Sequence, residues 1–368
     1  MRSPGEPTLA ETAHATRSGP GRWLAVVAAF AALLLSGTAL VFATTSRTAQ
    51  PTGGGPAPPT GPCDATAVAA RTMPSVVTLF VTSATGAASN GSGEFLDTDG
   101  HVLTNNHVIS AAVGGGTIVV MRPNGEELPA TLVGRDIATD LAVVKVKPKE
   151  PAQPVTFAGP VPPIGTSVFA VGAPRGLTET FTAGVVSGLG RSVRVPADNG
   201  ATALLVAAIQ TDTAINPGNS GGLLANCAGE LVGVPTAGTT ASDSLGQPVA
   251  GNIGLGFAIP AATAHRVASG LIKDGKVTHG DFGLSVAPIL GPSSTINPSG
   301  LYVTTVTVGG PAAGAGLRRS DVITDLAGQP ITGADQLEEI SLSKPPGTSV
   351  ELTVRRGAEV LAVNLVLG

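Results

Sequence analysis

The chain has 368 residues, of which 42% are hydrophobic and 12% are charged, and its formal net charge is −4. This length and apolar content suffice for two or three domains, each with a core that needs no metal or dense disulfide network. The chain contains no block of Lys or Arg, which argues against nucleic-acid binding, so the expected partners are proteins. Gly (50) and Pro (30) are abundant and aromatic residues are scarce; this balance predicts a mainly β fold of many short strands and tight turns.

The first predicted element is an uncharged apolar stretch of 21 residues at 23–43, WLAVVAAFAALLLSGTALVFA. As a helix it is long enough to cross a bilayer. Three arginines precede it within 1–22 and only Arg47 closely follows it, which predicts a cytoplasmic tail at 1–22 and an extracytoplasmic remainder. The alternative is a cleaved signal peptide, but the apolar run exceeds the usual length of such a segment. The sequence therefore favours a single-pass anchor in the cell membrane.

A tether and a β domain follow the predicted anchor. Residues 44–64 are rich in Pro, Gly and Thr and contain almost no large apolar side chains, so they cannot fold alone. Between 65 and 266, short β-rich runs such as SVVTLFV and DLAVVKV alternate with turn signals, which predicts a barrel or sandwich. Asp99-Gly100 lies between EFL and HVLTN, a pattern typical of a hairpin with a tight primed turn. That hairpin would place His107 at its far end.

The pattern changes near residue 260. Ala264, Val267 and Leu271 follow helical spacing and Gly275 is placed to end a helix, so a helix and linker are predicted up to residue 279. Strand patterns return over 280–368, and the run GADQLEEISL predicts one helix there. The sequence therefore predicts a small second domain of the α+β class.

The chain has two cysteines, Cys63 and Cys227. Both lie on the side that the predicted topology assigns to an oxidising compartment, where paired cysteines normally form disulfides. We predict that they are joined. The alternative is two unrelated buried thiols, because geometry decides whether a bridge can close.

A nucleophilic serine is predicted at Ser220 in NPGNSGG. The surrounding glycines permit a sharply turned backbone that aims successive N–H groups at one point. Gly218 and Ser220 would donate to a developing oxyanion, and Asn219 would contribute its own N–H or hold the loop's shape. The alternative is an ordinary glycine-rich turn.

The base and its orienting carboxylate have few candidates. His107 is followed by apolar residues that could bury its surroundings, whereas His101 lies beside a hairpin turn. Asp140 opens the strand DLAVVKV, so a buried strand end would hold it beside the imidazole. The rival carboxylates Asp136 and Asp212 are predicted to be structural.

The motifs TNNHVI, TDLAVVKV and TDTAINPGNSGG match, in order and separation, the trypsin-like proteases of the HtrA (DegP-like) family. The resemblance covers the chain from about Ala65 onward. It implies a chymotrypsin-like double six-stranded β-barrel with a His107, Asp140 and Ser220 triad in the cleft between the barrels. The chain order His, Asp, Ser is also that of the chymotrypsin-type triad.

Two departures from the family pattern concern the substrate. This chain has Pro235-Thr236 where the family usually has Asn-Thr, and Pro lacks the N–H that a substrate-pairing strand would use. Ala214 stands six residues before Ser220, where an Asp would select Lys or Arg, so small or medium aliphatic P1 residues are expected. The resemblance implies a substrate pocket formed by Ala214, Ile215, Asn216, Asn252, Gly254, Leu255 and Phe257.

The second domain resembles a PDZ domain through the stretch GPAAGAGLRRSDVITDLAGQPITGADQL. Phe282, Gly283 and Leu284 resemble its carboxylate-binding loop. A peptide C-terminus would pair with an exposed sheet edge there, and Phe282 and Leu284 would line the pocket. The alternative is a docking or spacer module that binds no free C-terminus.

Together these features predict a membrane-anchored, ATP-independent serine endopeptidase that degrades unfolded extracytoplasmic proteins or clips a regulatory substrate. No metal and no organic cofactor is implied. The alternative function is a chaperone or peptide-binding scaffold with a resting, inactive triad, and residues 193–201 are the predicted regulatory loop. A homotrimer, common in this family, is one of the assemblies the sequence allows, although near the start of the β domain it offers mainly Phe80 as an aromatic contact.

Overall fold

A computed structural model describes residues 63–173, 180–238, 253–289 and 300–368. The predicted cytoplasmic tail, the apolar stretch at 23–43 and nearly all of the predicted tether lie outside these residues. Within the described ranges, no helix is both long enough and apolar enough to cross a membrane.

The described chain begins with helix α1 (Ala65–Thr72), which is capped by its own preceding residue. The Asp64 carboxylate accepts hydrogen bonds from the backbone N–H groups of Thr66 and Ala67 at 2.9 and 3.2 Å. A carboxylate at this position satisfies N–H groups that the first helical turn leaves unpaired. Helix α1 therefore starts where the predicted tether ends.

The first barrel is a closed antiparallel sheet of six strands in the order β1-β2-β3-β6-β5-β4. Large apolar side chains fill it, among them Leu79, Phe95 and Val144, all fully buried. A short helix, α2 (Asn106–Ile109), follows β3 directly. The strands are β1 (Val76–Thr82), β2 (Ala88–Phe95), β3 (His101–Asn105), β4 (Thr117–Met121), β5 (Glu127–Asp136) and β6 (Leu141–Lys145).

The hairpin predicted around Asp99-Gly100 joins β2 to β3, but its turn is wider than a two-residue primed turn. The last strand pair is Phe95 with Val102, and the intervening residues include an Asp97 carboxylate that accepts the His101 N–H at 3.1 Å. Gly100 alone in this loop has a positive φ, 92°. The predicted hairpin is therefore confirmed, but the predicted two-residue primed turn is wrong, because the Asp97 side chain closes a longer loop.

The second barrel is also closed, with strand order β10-β11-β12-β9-β8-β7. These two barrels confirm the predicted double-barrel fold. Helix α3 (Ala261–Asp274) closes the second barrel, and Gly275 ends it with φ of 69°, as predicted from its position. The strands are β7 (Ser167–Gly172), β8 (Thr180–Pro196), β9 (Thr202–Thr211), β10 (Leu223–Ala225), β11 (Leu231–Gly238) and β12 (Gly256–Pro260).

The C-terminal domain is a sheet in the order β13-β14-β15-β17-β18, with β16 paired to β15. Buried Leu301, Ile323 and Leu352 lie in its core. Two helices accompany the sheet, α4 (Pro311–Gly314) and α5 (Asp335–Ser343), the second of them predicted from sequence. The strands are β13 (Leu284–Pro288), β14 (Leu301–Val306), β15 (Val322–Leu326), β16 (Gln329–Pro330), β17 (Ser349–Arg356) and β18 (Glu359–Val366).

Candidate active site

The predicted base and its predicted carboxylate are in direct contact in the first barrel. His107 lies in α2, immediately after β3, and its Nδ1 is 2.7 Å from Asp140 Oδ2. The second carboxylate oxygen accepts the His107 backbone N–H at 2.9 Å. The Asp140 side chain is 0% exposed and that of His107 is 36% exposed. The carboxylate therefore holds the imidazole by ring and backbone while the ring keeps access to the surface.

Asp140 occupies an unusual backbone conformation, with φ of 58°. Such a conformation is uncommon for residues other than Gly, although Asp tolerates it better than most. The backbone carbonyl of Asp140 accepts hydrogen bonds from the Asn106 N–H at 3.1 Å and from Asn105 Nδ2 at 2.8 Å. These contacts keep the residue in a conformation that aims its carboxylate at His107.

Ser220 lies on the loop before β10 in the second barrel, as the glycine-rich motif predicts. Gly218 and Gly221 both have positive φ, at 103° and 81°, which glycine adopts without steric cost. The Ser220 hydroxyl donates to the Thr236 carbonyl at 3.3 Å. Within the described residues, no hydrogen bond joins this hydroxyl to His107.

Asn219 has both of its N–H groups engaged within the loop, whereas its buried Oδ1 has no hydrogen-bond partner among the described residues. Its backbone N–H donates to Asn216 O at 2.9 Å, and its side-chain Nδ2 donates to Ala214 O at 3.0 Å. Of the two roles that the sequence left open for Asn219, these contacts favour holding the loop's shape over donating to an oxyanion.

The two barrels are joined beside the candidate site by Asn105 at the end of β3. Its Nδ2 donates both to Asp140 O and to Thr236 Oγ1, at 2.8 and 2.9 Å. Since Thr236 O accepts from Ser220, a hydrogen-bonded path runs from His107 through Asp140, Asn105 and Thr236 to Ser220. The three predicted triad residues therefore belong to one polar network.

Pro235, a departure from the family pattern, sits at an irregularity of β11. The register with β12 shifts between Pro235 and Ala237, where the missing N–H of a proline is tolerated. Its carbonyl accepts the Gly221 N–H at 2.9 Å. Pro235 thus supports the nucleophile loop through the one backbone hydrogen-bonding group that it retains.

The predicted substrate-pocket residues divide into three groups. Asn252 lies outside the described residues. Ile215 is 4% exposed and belongs to the core of the second barrel, where it packs against Gly256, so its side chain contributes little open surface. Ala214, Asn216, Gly254, Leu255 and Phe257 are partly exposed.

The rival acidic residues have structural contacts. Asp136 Oδ2 accepts from Thr139 Oγ1 at 2.6 Å, consistent with the predicted turn role, and also lies 2.8 Å from His279 Nε2 in the linker to the second domain. Asp212 Oδ1 accepts the Val185 N–H at 2.7 Å.

The predicted regulatory segment at 193–201 lies in the hairpin between β8 and β9. Its Asp198 carboxylate accepts from Arg135 and from Asn106 Nδ2, and Asn106 is the residue before His107. On the same hairpin, Arg194 pairs with Asp335 and Glu338 of α5, at 2.6 Å each. Sequence reasoning missed these partners, because they are far apart in the chain and carry no local pattern.

Cys63 and Cys227 are joined by a disulfide, with their Cα atoms 5.4 Å apart. The bridge connects the chain just before α1 to the turn between β10 and β11. It therefore anchors the start of the described chain to the strand pair that follows the nucleophile loop.

The carboxylate-binding loop predicted in the second domain has specific backbone contacts. Gly283 has φ of 68° and its N–H donates to Asp281 Oδ1 at 2.9 Å. Phe282 is 4% exposed and lies in the domain core, and Leu284 packs against that core. Strand β13 begins directly after the loop, and among the residues that the structure describes it pairs only with β14, so it forms an edge of the sheet.

Two six-stranded barrels, with a His–Asp pair on the first and a serine on a glycine-rich loop of the second, are the arrangement of the trypsin-like class of peptidases. A family model described as a trypsin-like peptidase domain matches residues 91–234, and one described as a PDZ domain matches residues 280–367.

Relatives narrow the class further. Serine protease PepD of Mycobacterium tuberculosis is 38% identical over 293 residues, covering 78% of this chain and 62% of that protein. A probable periplasmic serine endoprotease, DegP-like, of Rhizobium meliloti is 38% identical, covering 76% of this chain and 53% of that protein. The chain thus spans between half and two thirds of the length of these curated relatives.

Solved structures agree with this likeness. The HtrA-type protease AlgW is 32% identical with a TM-score of 0.64, and the match covers 83% of this chain and 97% of that one. The serine endoprotease from Yersinia pestis is 32% identical with a TM-score of 0.60, covering 83% and 98%. The chain belongs to the HtrA family of trypsin-like serine proteases.

Proposed function

We propose that this protein is a serine endopeptidase in which Ser220 attacks the scissile carbonyl, His107 takes its proton and Asp140 orients His107. The observation that carries the proposal is the polar path from the His107–Asp140 pair to the Ser220 hydroxyl. Attack would form an acyl-enzyme and release the amine, protonated by His107; the same imidazole would then activate water to hydrolyse the ester. Gly218 and Ser220 would supply the oxyanion donors.

The test is degradation of an unfolded model protein by the purified full chain beside its Ser220→Ala variant. We expect cleavage by the first and none by the second, together with covalent labelling of Ser220 by a fluorophosphonate. Cleavage that survives Ser220→Ala would refute the assignment.

A second candidate function is a chaperone or peptide-binding scaffold with a resting triad. It is favoured by one contact, the hydrogen bond from the Ser220 hydroxyl to Thr236 O in place of His107. This function predicts that the full chain suppresses aggregation of the unfolded protein without cleaving it or reacting with the fluorophosphonate. Catalytic hydrogen bonds often tighten only when substrate binds, so the peptidase function remains our first choice.

Small or medium aliphatic P1 residues are the proposed preference. Ala214 brings no charge to the candidate pocket, and a basic P1 side chain would lack the carboxylate partner that selects it. A peptide library cleaved mainly after Arg or Lys would overturn this.

The PDZ domain is proposed to bind peptide C-termini by adding a strand to the edge of β13 that lies opposite β14. The AlgW structure contains a bound tripeptide, which is consistent with peptide recognition in the family. Calorimetry with peptides ending in an apolar residue tests this, because a C-terminally amidated control should lose binding.

An extracytoplasmic, membrane-anchored location is proposed from the apolar stretch at 23–43 and from relatives named as periplasmic proteases. Protease shaving of intact cells, followed by mass determination of the mature N-terminus, tests it. A chain that begins near Thr44 would contradict the anchor. Unfolded extracytoplasmic proteins would then be the substrates.

A further inference from the structure

A serine of the first barrel, Ser92 on β2, reaches across to the nucleophile loop of the second barrel. Ser92 is 0% exposed. The neighbouring residue, Gly93, faces the side chains of Leu79 and Val102 in the barrel core. Because successive residues of a strand point to opposite faces, Ser92 faces away from that core.

Every hydrogen-bonding group of Ser92 has a partner. Its backbone N–H donates to Ser220 O at 2.9 Å, and its hydroxyl donates to Gly218 O at 2.6 Å. The same hydroxyl oxygen accepts the Ala173 N–H at 2.8 Å, and the Ser92 carbonyl accepts from Thr104 Oγ1 at 2.7 Å. Two of these four bonds end on the candidate oxyanion loop, one on either side of Asn219.

The nucleophile loop and the end of β7 are packed so closely on Ser92 that side chains would not fit at their glycines. A Cβ atom on Gly221 would lie 2.4 Å from Ser92 O, and one on Gly172 would lie 2.8 Å from Ser92 Oγ. A Cβ on Gly222 would be 3.1 Å from the Ser92 Cβ. The glycines that follow the nucleophile thus let the two barrels approach closely at Ser92, in addition to permitting the sharp turn of the loop.

We propose that Ser92 is a positioning residue that sets the orientation of the Gly218–Asn219 peptide and so holds the oxyanion donors in place. A peptide group is planar, so a hydroxyl that holds the Gly218 carbonyl on one side directs the Asn219 N–H to the other, where it meets Asn216 O. The peptide that carries the Ser220 N–H therefore lies between two held peptides, and the one that carries the Gly218 N–H directly precedes the first of them. Holding these neighbouring planes limits how far the two donors can turn from the reaction centre. This role rests on the proposed function of Ser220 and Gly218.

The test compares the full chain with its Ser92→Ala variant, which keeps the Cβ and removes the hydroxyl. We expect kcat to fall by about 10- to 100-fold with KM changed less than about twofold. Displaced oxyanion donors would stabilise the transition state less, whereas substrate binding in the ground state would change little. A peptide aldehyde, which places a hemiacetal oxygen against the same donors, should lose affinity in proportion to kcat. A product peptide should bind equally well to both proteins.

Val81→Ala is the matched control, because Val81 is 1% exposed in the first barrel and lies on β1. It should lower the melting temperature without changing kcat or aldehyde affinity. If Ser92→Ala lowers only the melting temperature, as Val81→Ala does, Ser92 is merely a core residue and the proposal is wrong.

A second measurement separates this proposal from the proposed function. Amide hydrogen exchange of residues 216–222 should accelerate in Ser92→Ala, in the wild-type and Ser220→Ala backgrounds alike, while exchange in β17 stays unchanged. If the wild type neither cleaves nor reacts with the aldehyde, the proposed function fails, and faster exchange would still support Ser92 as the residue that holds the loop. Unchanged exchange would overturn it.

Discussion

The first barrel holds its candidate catalytic groups with its own residues, whereas residues of both barrels hold the nucleophile loop of the second barrel. His107 and Asp140 contact each other directly, and Asn105 and Asn106 of the same barrel bind the Asp140 carbonyl. The Ser220 loop is bound by Pro235 and Thr236 of its own barrel and also by Ser92 from the other barrel. Outside the loop, the second barrel is further tied to α1 by a disulfide and to α5 by Arg194.

The imidazole base is therefore positioned by residues of a single barrel, whereas the nucleophile loop takes its position only when the two barrels pack together. A change to the residues that contact His107 or Asp140 should therefore affect the chemistry directly. Changes to the disulfide or to the Arg194 ion pairs of the second barrel should lower stability more than they lower kcat.

Asp140→Asn should have the largest effect. The new side-chain amide has one NH2 group in place of one carboxylate oxygen. If that group faces the His107 backbone N–H, two donors oppose each other. If it faces Nδ1, it favours the imidazole tautomer that carries its proton on Nε2, which cannot accept a proton from Ser220. We expect kcat to fall by about 10⁴-fold with little change in KM, measured with a peptide substrate. Asp97→Asn is the matched control, since Asp97 pairs with His101 in the same barrel away from the site. Equal losses in both variants would contradict the assignment.

Removal of the disulfide comes next. The bridge spans 164 residues of sequence, and closing so long a loop restricts the unfolded chain. The double variant Cys63→Ser, Cys227→Ser should lower the free energy of unfolding by about 2–5 kcal/mol and keep near-normal kcat below its melting temperature. Urea denaturation measures this, and a reductant should give the same loss in the wild type only. A loss of kcat in the still-folded variant would show that the bridge also shapes the loop.

Glu94 should make stability depend on pH. Its carboxylate is fully buried on β2, two residues from Ser92, and neither oxygen has a hydrogen-bond partner among the described residues. Burial raises the pKa of Glu94 well above its ordinary value of 4.5. The folded state therefore keeps a proton that the unfolded chain loses, so this contribution to stability is complete below about pH 4.5 and falls as pH rises, by about 1.4 kcal/mol per pH unit up to the folded-state pKa.

Glu94→Gln should remove this slope, because the amide does not titrate. Denaturation of both proteins at pH 5, 6 and 7 measures the difference between them. Parallel pH profiles would show that Glu94 does not titrate in this way.

Arg194→Ala should have the smallest effect. The Arg194 side chain is 40% exposed, and exposed ion pairs contribute about 0–1 kcal/mol and weaken in salt. We expect a loss of at most about 1 kcal/mol that shrinks further in 1 M NaCl. Arg191→Ala is the control, since Arg191 lies on the same strand and bonds Gln210 rather than α5. A change in kcat with Arg194→Ala alone would mean that the second domain acts on the site through this hairpin.

Several features were predictable because their signals are local. The hairpin before His107, the helix that ends at Gly275 and the glycine-rich loop around Ser220 each depend on residues within a few positions of one another. The resemblance to the HtrA family also depends on short motifs. Predictions were wrong where a side-chain or distant contact determined the structure instead of the local turn signal. The turn near Asp99-Gly100 is an example, because the Asp97 side chain closes a wider turn there.

By itself, the sequence determined which elements form and which residue types are available for acyl transfer, because strand and turn preferences and motif spacing are properties of the local chain. Only the tertiary structure decided that Ser92 holds the nucleophile loop, that Ser220 rests against Thr236 and that Phe282 is buried. These outcomes depend on contacts such as that between Ser92 and Gly218, which are 126 positions apart. Closure of two barrels against each other brings such residues together, and no local pattern records that packing.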